Sequence, residues 1–119
     1  MLALRQAVGQ SDALLIACPE YAHGVPGAFK NLLDWLVGGL EFPGRPVALL
    51  NTSVRDSHHA QAALREVLIT MSAVLIEPAC ITVPLSGAGC EMENILLVDD
   101  RVIEVHQCLE ALSQALSAA

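Results

Sequence analysis

Residues 13–35, ALLIACPEYAHGVPGAFKNLLDW, pass from an unbroken apolar run through a short loop into a helical pattern. The run over residues 13–18 shows no polar alternation, which is the pattern of a strand covered by helices on both faces. It stops at Pro19. Pro26 then stands where a first helical residue belongs, because its fixed φ suits a helix and its missing N–H would have no partner there. Phe29, Leu32, Leu33, Leu36 and Val37 recur at helical spacing. A helix over residues 26–37 is predicted, ended by the permissive pair Gly38 and Gly39.

The same alternation continues on either side. Residues 2–9 read as the last turns of a helix closed by Gly9, with Ser11 and Asp12 in a turn. Pro43–Gly44 is a turn, residues 47–50 a second buried strand, and residues 51–57 a polar loop rich in capping residues. A helix over 60–71 carries Ala63, Leu64, Val67, Leu68 and Met71 on one stripe. Residues 74–83 form a weaker strand region interrupted at Glu77–Pro78, and residues 86–89 a loop. An amphipathic helix over 100–116 follows, with Ile103, Leu109, Leu112 and Leu116 as inward candidates. Strands alternating with helices imply parallel pairing, right-handed crossovers and helices on both sheet faces, so the class is α/β. A chain of 119 residues fits one domain, 1–119, and is too short for two.

Composition narrows the function classes. With 54% hydrophobic and 16% charged residues, little material is left for disordered tails. The net charge is −7, and the six basic residues, Arg5, Lys30, Arg45, Arg55, Arg65 and Arg101, are scattered singly. No patch tracks a phosphodiester backbone, so nucleic acid is excluded as a partner. The apolar runs reach only about a third of the roughly 20 residues of a bilayer span. The N-terminus lacks the basic start and long apolar region of a signal peptide, and a cytoplasmic location is expected. Cys18, Cys80, Cys90 and Cys108 lie far apart without a C-x-x-C pair, the pattern of reduced, mostly buried thiols rather than zinc ligands.

In open α/β sheets, ligands bind beyond the carboxyl ends of the strands, where loops lead into helices. Two loops qualify, residues 19–25 and 51–57. The first gathers a carboxylate, an aromatic ring, an imidazole and two glycines around a Pro-initiated helix, a composition suited to a planar ligand. A buried strand followed by P-E-Y and then P-G-A-x-K-N-x-x-D-W resembles the flavin-contacting segment of the NADPH-dependent FMN reductase family. Pro19, Glu20, Tyr21, Pro26, Gly27, Ala28, Lys30, Asn31, Asp34 and Trp35 carry that resemblance in order and spacing. Residues 62–65, Ala-Ala-Leu-Arg, extend it more loosely over most of the chain.

The resemblance implies a flavodoxin-like, three-layer parallel sheet that lacks the first two strands and first helix of the full fold. Residues 13–18 would then present an unpaired apolar edge, a template for association. It further implies FMN as cofactor, with Pro19, Glu20 and Tyr21 lining the isoalloxazine ring, largely through backbone groups. Asn51, Thr52 and Ser53 correspond to a second flavin-facing loop, whose helix N-terminus favours a reduced, anionic flavin. The position after Tyr21, commonly Asn in such proteins, is Ala22, so one polar contact is lost, with His23 as a candidate substitute. The family's phosphate loop, of G-S-x-R-x-x-S type, has no match here.

The activity implied is hydride transfer from NADPH or NADH to FMN and onward to a small acceptor, a quinone or a flavin, in a homo-oligomer. The cofactor carries that chemistry, so no residue is named as catalytic and none as a metal ligand. Arg45 and Arg55 are candidates for steering an anionic nicotinamide cofactor. Plainer readings apply to Trp35, a core or subunit-contact residue, and to Lys30 and Asp34, a solvated i,i+4 pair. His58 and His59 read as solvent-facing residues near a helix start, and His23 and His106 as isolated with respect to metal ligation. The alternative is a non-enzymatic binding or assembly module with a degenerate flavodoxin-like scaffold that no longer retains FMN.

Overall fold

Val47 and Ala48 are wholly buried and Leu49 nearly so, which marks their strand as the centre of the sheet. The computed structural model describes residues 2–53, 57–84 and 99–118. Its elements are α1 (Leu2–Gln10), β1 (Leu14–Ile16), α2 (Gly27–Leu36), β2 (Pro46–Asn51), α3 (His58–Thr70), β3 (Val74–Leu75), a 3-10 turn (Glu77–Ala79), β4 (Ile81–Thr82) and α4 (Asp99–Ser117). All strand pairs are parallel. β1 lies on one side of β2 with Leu14 opposite Val47, while β3 and β4 pair in turn along β2, with Pro46 opposite Val74 and Leu50 opposite Ile81. The interruption expected at Glu77–Pro78 is the 3-10 turn that splits this neighbouring segment, since proline cannot donate to a ladder.

Side chains of β2 alternate between two cores. Val47 and Leu49 pack with Val8 of α1, Leu33 and Leu36 of α2, and Leu64 and Leu68 of α3. Ala48 packs on the opposite face with Ala79, Cys108 and Leu112. The result is the three-layer α/β arrangement expected from the sequence, with α1–α3 on one face and α4 on the other. The contact on the α4 side is made by small groups, and the Cys108 Sγ donates to the Ala79 carbonyl oxygen at 3.1 Å. That choice sets the phase of α4. Cys108 and Leu112 turn inward, whereas Ile103 and Leu109, expected inside, are exposed. Burial pushes the Cys18 and Cys108 thiols above their ordinary pKa. Cys80 is half-buried, and Cys90 and the loop at 86–89 lie outside the described residues.

Several boundaries differ from the sequence expectation for identifiable reasons. β1 is three residues long rather than six, and Leu15 is 44% exposed. Leu15 sits opposite Ala48 on the α4 side, but the inward residues of α4 reach Ala13, Ala48 and Ala79 and stop short of it. The outer edge of β1 has no strand partner among the described residues. Gly9 does not close α1, which runs on to Gln10. A Cβ at Gly9 would meet Glu41 Cγ at 3.3 Å, so this glycine permits close packing. Pro26 caps α2 from outside with extended backbone rather than opening its first turn, while Gly38, at φ +86°, makes the expected stop. α3 begins two residues earlier than expected, at His58, and its buried stripe includes Ala60 rather than Ala63.

Arg45 requires a correction of role. Its guanidinium donates to the carbonyl oxygens of Ser11 (2.6 Å) and Glu41 (2.9 Å). Because it precedes Pro46, it lies at the amino end of β2, away from the loops that follow the strands. It ties the segment before β1 to the segment before β2 and is not available to steer a cofactor. Arg55 lies outside the described residues.

Candidate functional site

The loops after β1 and β2 leave neighbouring parallel strands at the same edge of the sheet. In the first, the backbone N–H of Tyr21 donates to Gly24 O (3.0 Å) and that of Gly24 to Tyr21 O (2.9 Å). The two residues between them, Ala22 and His23, have φ of 49° and 61°. A tight reversal with both central residues left-handed is the type I′ arrangement, which favours Asn and Gly there. For other L-residues the left-handed region costs roughly 1–2 kcal/mol each. Position 22 is therefore a conformational matter as well as a question of polar contact. Ala22→Asn is expected to raise stability by about 0.5–1 kcal/mol, because Asn tolerates this backbone. A urea melt of the variant should show a higher midpoint at unchanged slope, and an equal or lower midpoint would contradict the turn assignment.

In the second loop, the Ser53 N–H donates to Asn51 Oδ1 at 3.1 Å, an Asx turn that bends the chain as it leaves β2. Ser57 then precedes α3, yet its side chain makes no cap hydrogen bond, and the first turn of α3 holds no acidic residue. The cap comes from elsewhere. The Ala60 N–H, at the third helical position, donates to Glu20 Oε1 at 2.7 Å across 40 residues of sequence. A carboxylate there satisfies an orphan amide and complements the positive end of the helix. Glu20 therefore uses its side chain to join the two loops, where the sequence suggested mainly backbone contacts.

A second tie lies beside the first. The His23 ring stacks on His59 with centroids 4.5 Å apart and planes within 16°, and His59 in turn meets His58 at 3.9 Å and 36°. His58 and His59 are exposed, as expected, and the stack adds a ring contact for His23 that the sequence did not suggest. Among the described residues, no group of three or more His, Cys, Asp or Glu side chains is placed to hold a metal ion.

The expected site residues are thus brought to one edge. Pro19, Ala22 and His23 are exposed, Tyr21 is 65% exposed, and Glu20, Asn51, Thr52 and Ser53 are half-buried. Asn51 and Ser53 border a cavity of about 530 Å³ beside the start of α3. Sequence reasoning missed Ala60 and His59. The available signal was a helix start without its own acidic residue, facing a loop that carries one. The plainer readings fare differently. Lys30 and Asp34 form an exposed ion pair at 2.6 Å, of a kind worth about 0.3–0.5 kcal/mol. Trp35 is half-exposed rather than a core residue, and its carbonyl oxygen accepts from Arg5 Nη2 at 3.0 Å.

Residues 1–87 match the family model described as NADPH-dependent FMN reductase. The chain belongs to this family. A 2-hydroxy-1,4-benzoquinone reductase of a Burkholderia species is 38% identical over 79 residues, covering 62% of this chain and 43% of that protein. An NAD(P)H-dependent FMN reductase of Pseudomonas aeruginosa is 31% identical over 113 residues, covering 91% of this chain and 60% of its own length. The chain therefore spans about half the length of these relatives. Among solved structures, the flavoenzyme FerB, an NAD(P)H:(acceptor) oxidoreductase of Paracoccus denitrificans, is similar at a TM-score of 0.60 and 26% identity, covering 98% of this chain and 63% of that one. An oxidoreductase of Corynebacterium diphtheriae shares the fold at a TM-score of 0.64 and 22% identity, covering 98% of this chain and 62% of that one.

Proposed function

We propose that residues 1–119 act as one unit of an FMN-dependent NAD(P)H oxidoreductase that passes electrons to a small acceptor, a quinone or a flavin. The observation that carries this reading is the Glu20–Ala60 hydrogen bond, which draws the loops after β1 and β2 together at the carboxyl edge of the sheet. The residues there fit the ring of a flavin. Pro19, Glu20, Tyr21, Ala22 and His23 form one wall and Asn51, Thr52 and Ser53 the other, with the N-terminus of α3 between them. Bound FMN would supply two-electron chemistry, accepting hydride from a nicotinamide and releasing electrons to the acceptor.

The chain's own part is placement. The tight turn over residues 21–24 holds Tyr21 at the rim, where its ring shields a planar ligand from water. The two strained positions in that turn fix its direction. The imidazole stack of His23 and His59 offers a flat surface against which a ring can lie. The amides of the Asn51–Ser53 bend and the positive end of α3 favour negative charge on the ring. No side chain is assigned as an acid or base, since Glu20 is already occupied by Ala60. No helix among the described residues is long and apolar enough to cross a membrane. A cytoplasmic location and a homo-oligomeric state belong to the same proposal.

One observation favours a second reading, a binding or assembly module that does not retain FMN. Among the described residues the outer edge of β1, beside the exposed Leu15, has no strand partner, and an edge of this kind can recruit another strand. Mixing the purified protein with FMN and then desalting it separates the two. Retained yellow flavin together with FMN-dependent oxidation of NADPH in the presence of a quinone supports the reductase. A colourless protein that takes up no flavin refutes it for this chain.

A further inference from the structure

We propose that the cavity along α3 seats a small oxoanion, a carboxylate or phosphate group, held by the Ser57 hydroxyl, the Gln61 amide and the Arg65 guanidinium. These three residues are spaced by four and so follow one face of the helix from its N-terminus, all lining the same cavity of about 530 Å³. Ser57 is only 3% exposed, and its Oγ has no hydrogen-bond partner among the described residues. A buried hydroxyl without a partner is uncommon and calls for an acceptor. An oxygen of an entering anion is such an acceptor.

The surroundings select the sign of the ligand. The guanidinium can only donate, and the start of α3 favours negative charge, which Glu20 meets only at the Ala60 amide. Arg65 Nη1 pairs with Glu77 Oε1 at 2.5 Å, which leaves other N–H groups of the fork for a ligand, and Glu77 does not line the cavity. No described lining residue is acidic, in a chain of net charge −7. The lining also includes the apolar side chains of Leu49 and Ile81, which suit the carbon frame of a molecule that carries the anionic group. The volume admits a ring-sized ligand.

This cavity is separate from the loop after β1. Residues 19–24 do not line it, and the Ala60 amide, which serves that loop, is already taken by Glu20. It shares Asn51, Ser53 and the start of α3 with the proposed flavin seat, but its three holding side chains, Ser57, Gln61 and Arg65, are not part of that seat. The oxoanion seat therefore stands or falls without flavin.

The test is an NMR titration of the isotope-labelled full chain, without flavin, using inorganic phosphate and benzoate as separate probes. Saturable shifts are expected at the Ser57 and Gln61 amides and at the Arg65 Nε–H. Saturation by either probe supports the seat. Tighter binding of phosphate assigns it to phosphate esters, and tighter binding of benzoate to carboxylates. Ser57→Ala should weaken the binding about tenfold, the loss of one hydrogen bond to a charged group. If Ser57→Ala loses its native spectrum, Gln61→Ala, at a half-buried helix position, carries the same expectation of weaker binding. No saturable shift with either probe, or undiminished binding in the folded variant, overturns the inference. Protein that takes up FMN yet binds neither probe refutes the seat alone. Protein that binds a probe but no FMN refutes the flavin reading alone.

Discussion

Glu20→Ala is expected to lower the unfolding free energy by about 2 kcal/mol, an effect far larger than a loop carboxylate normally has. The variant removes the acceptor of the Ala60 N–H, and α3 has no acidic first-turn residue to replace it. Caps are worth about 0.5–2 kcal/mol, and hydrogen bonds to charged groups about 1.5–3 kcal/mol, so a half-buried example belongs near the middle of that range. Glu20→Gln keeps an acceptor while losing the charge, and should cost about half as much. Denaturant melts of the two variants measure both values. A loss under about 0.5 kcal/mol in Glu20→Ala would mean that the hydrogen bond does not hold the loops together. Uptake of FMN should fall in parallel, because the ring seat is shaped by the same tie.

Leu68→Ala should be costlier still, at about 3 kcal/mol. Leu68 is wholly buried on α3 in the core that includes Val47, Leu49 and Leu64. Truncation removes apolar contacts on the helix that carries Ala60 and leaves a cavity that rigid neighbours fill only in part. For a domain of this size the loss translates into a fall in melting temperature of roughly 15 °C. The neighbouring Ile69 is exposed, so Ile69→Ala should change stability by less than about 0.5 kcal/mol. Calorimetry on the pair distinguishes core packing from a general intolerance of α3. Equal melting points for the two variants would contradict the assignment of the core face.

The fold was legible wherever the apolar pattern was strong and local. The run ending in Cys18 and the run at 47–50 announced parallel strands, although only the second is buried through its centre, and the stripe through Leu64 and Leu68 announced the helix between β2 and β3. The phase of α4 was not legible. Large side chains such as Ile103 and Leu109 look like a core stripe, but α4 meets Ala48 of β2 and Ala79 of the 3-10 turn, and small residues there select Cys108 as the contact. Size matching across a layer is a property of two segments and is invisible in either alone.

The candidate site was legible in its loops and opaque in its connections. Pro19 to His23 and Asn51 to Ser53 stood out by composition and by their place after strands. That Glu20 would cap a helix 40 residues later, or that His23 would stack on His59, depends on strand register, which brings the loops side by side. Arg45 shows the converse case. A lone arginine looked available for a ligand until the topology put it at the other end of β2, with its donors already occupied.

The Glu20–Ala60 hydrogen bond also has a consequence in time. Closing a loop of 40 residues for one hydrogen bond is entropically unfavourable until β1 and β2 have paired and α3 has docked. The tie is therefore expected to form in the last steps of folding, after the rate-limiting ensemble has passed. Its removal should accelerate unfolding and leave the folding rate nearly unchanged, the behaviour of a contact absent from the transition state. On this account a nascent or partly opened chain has a sheet before it has a ring seat. Loss of that seat is then an early sign of opening, ahead of any loss of secondary structure.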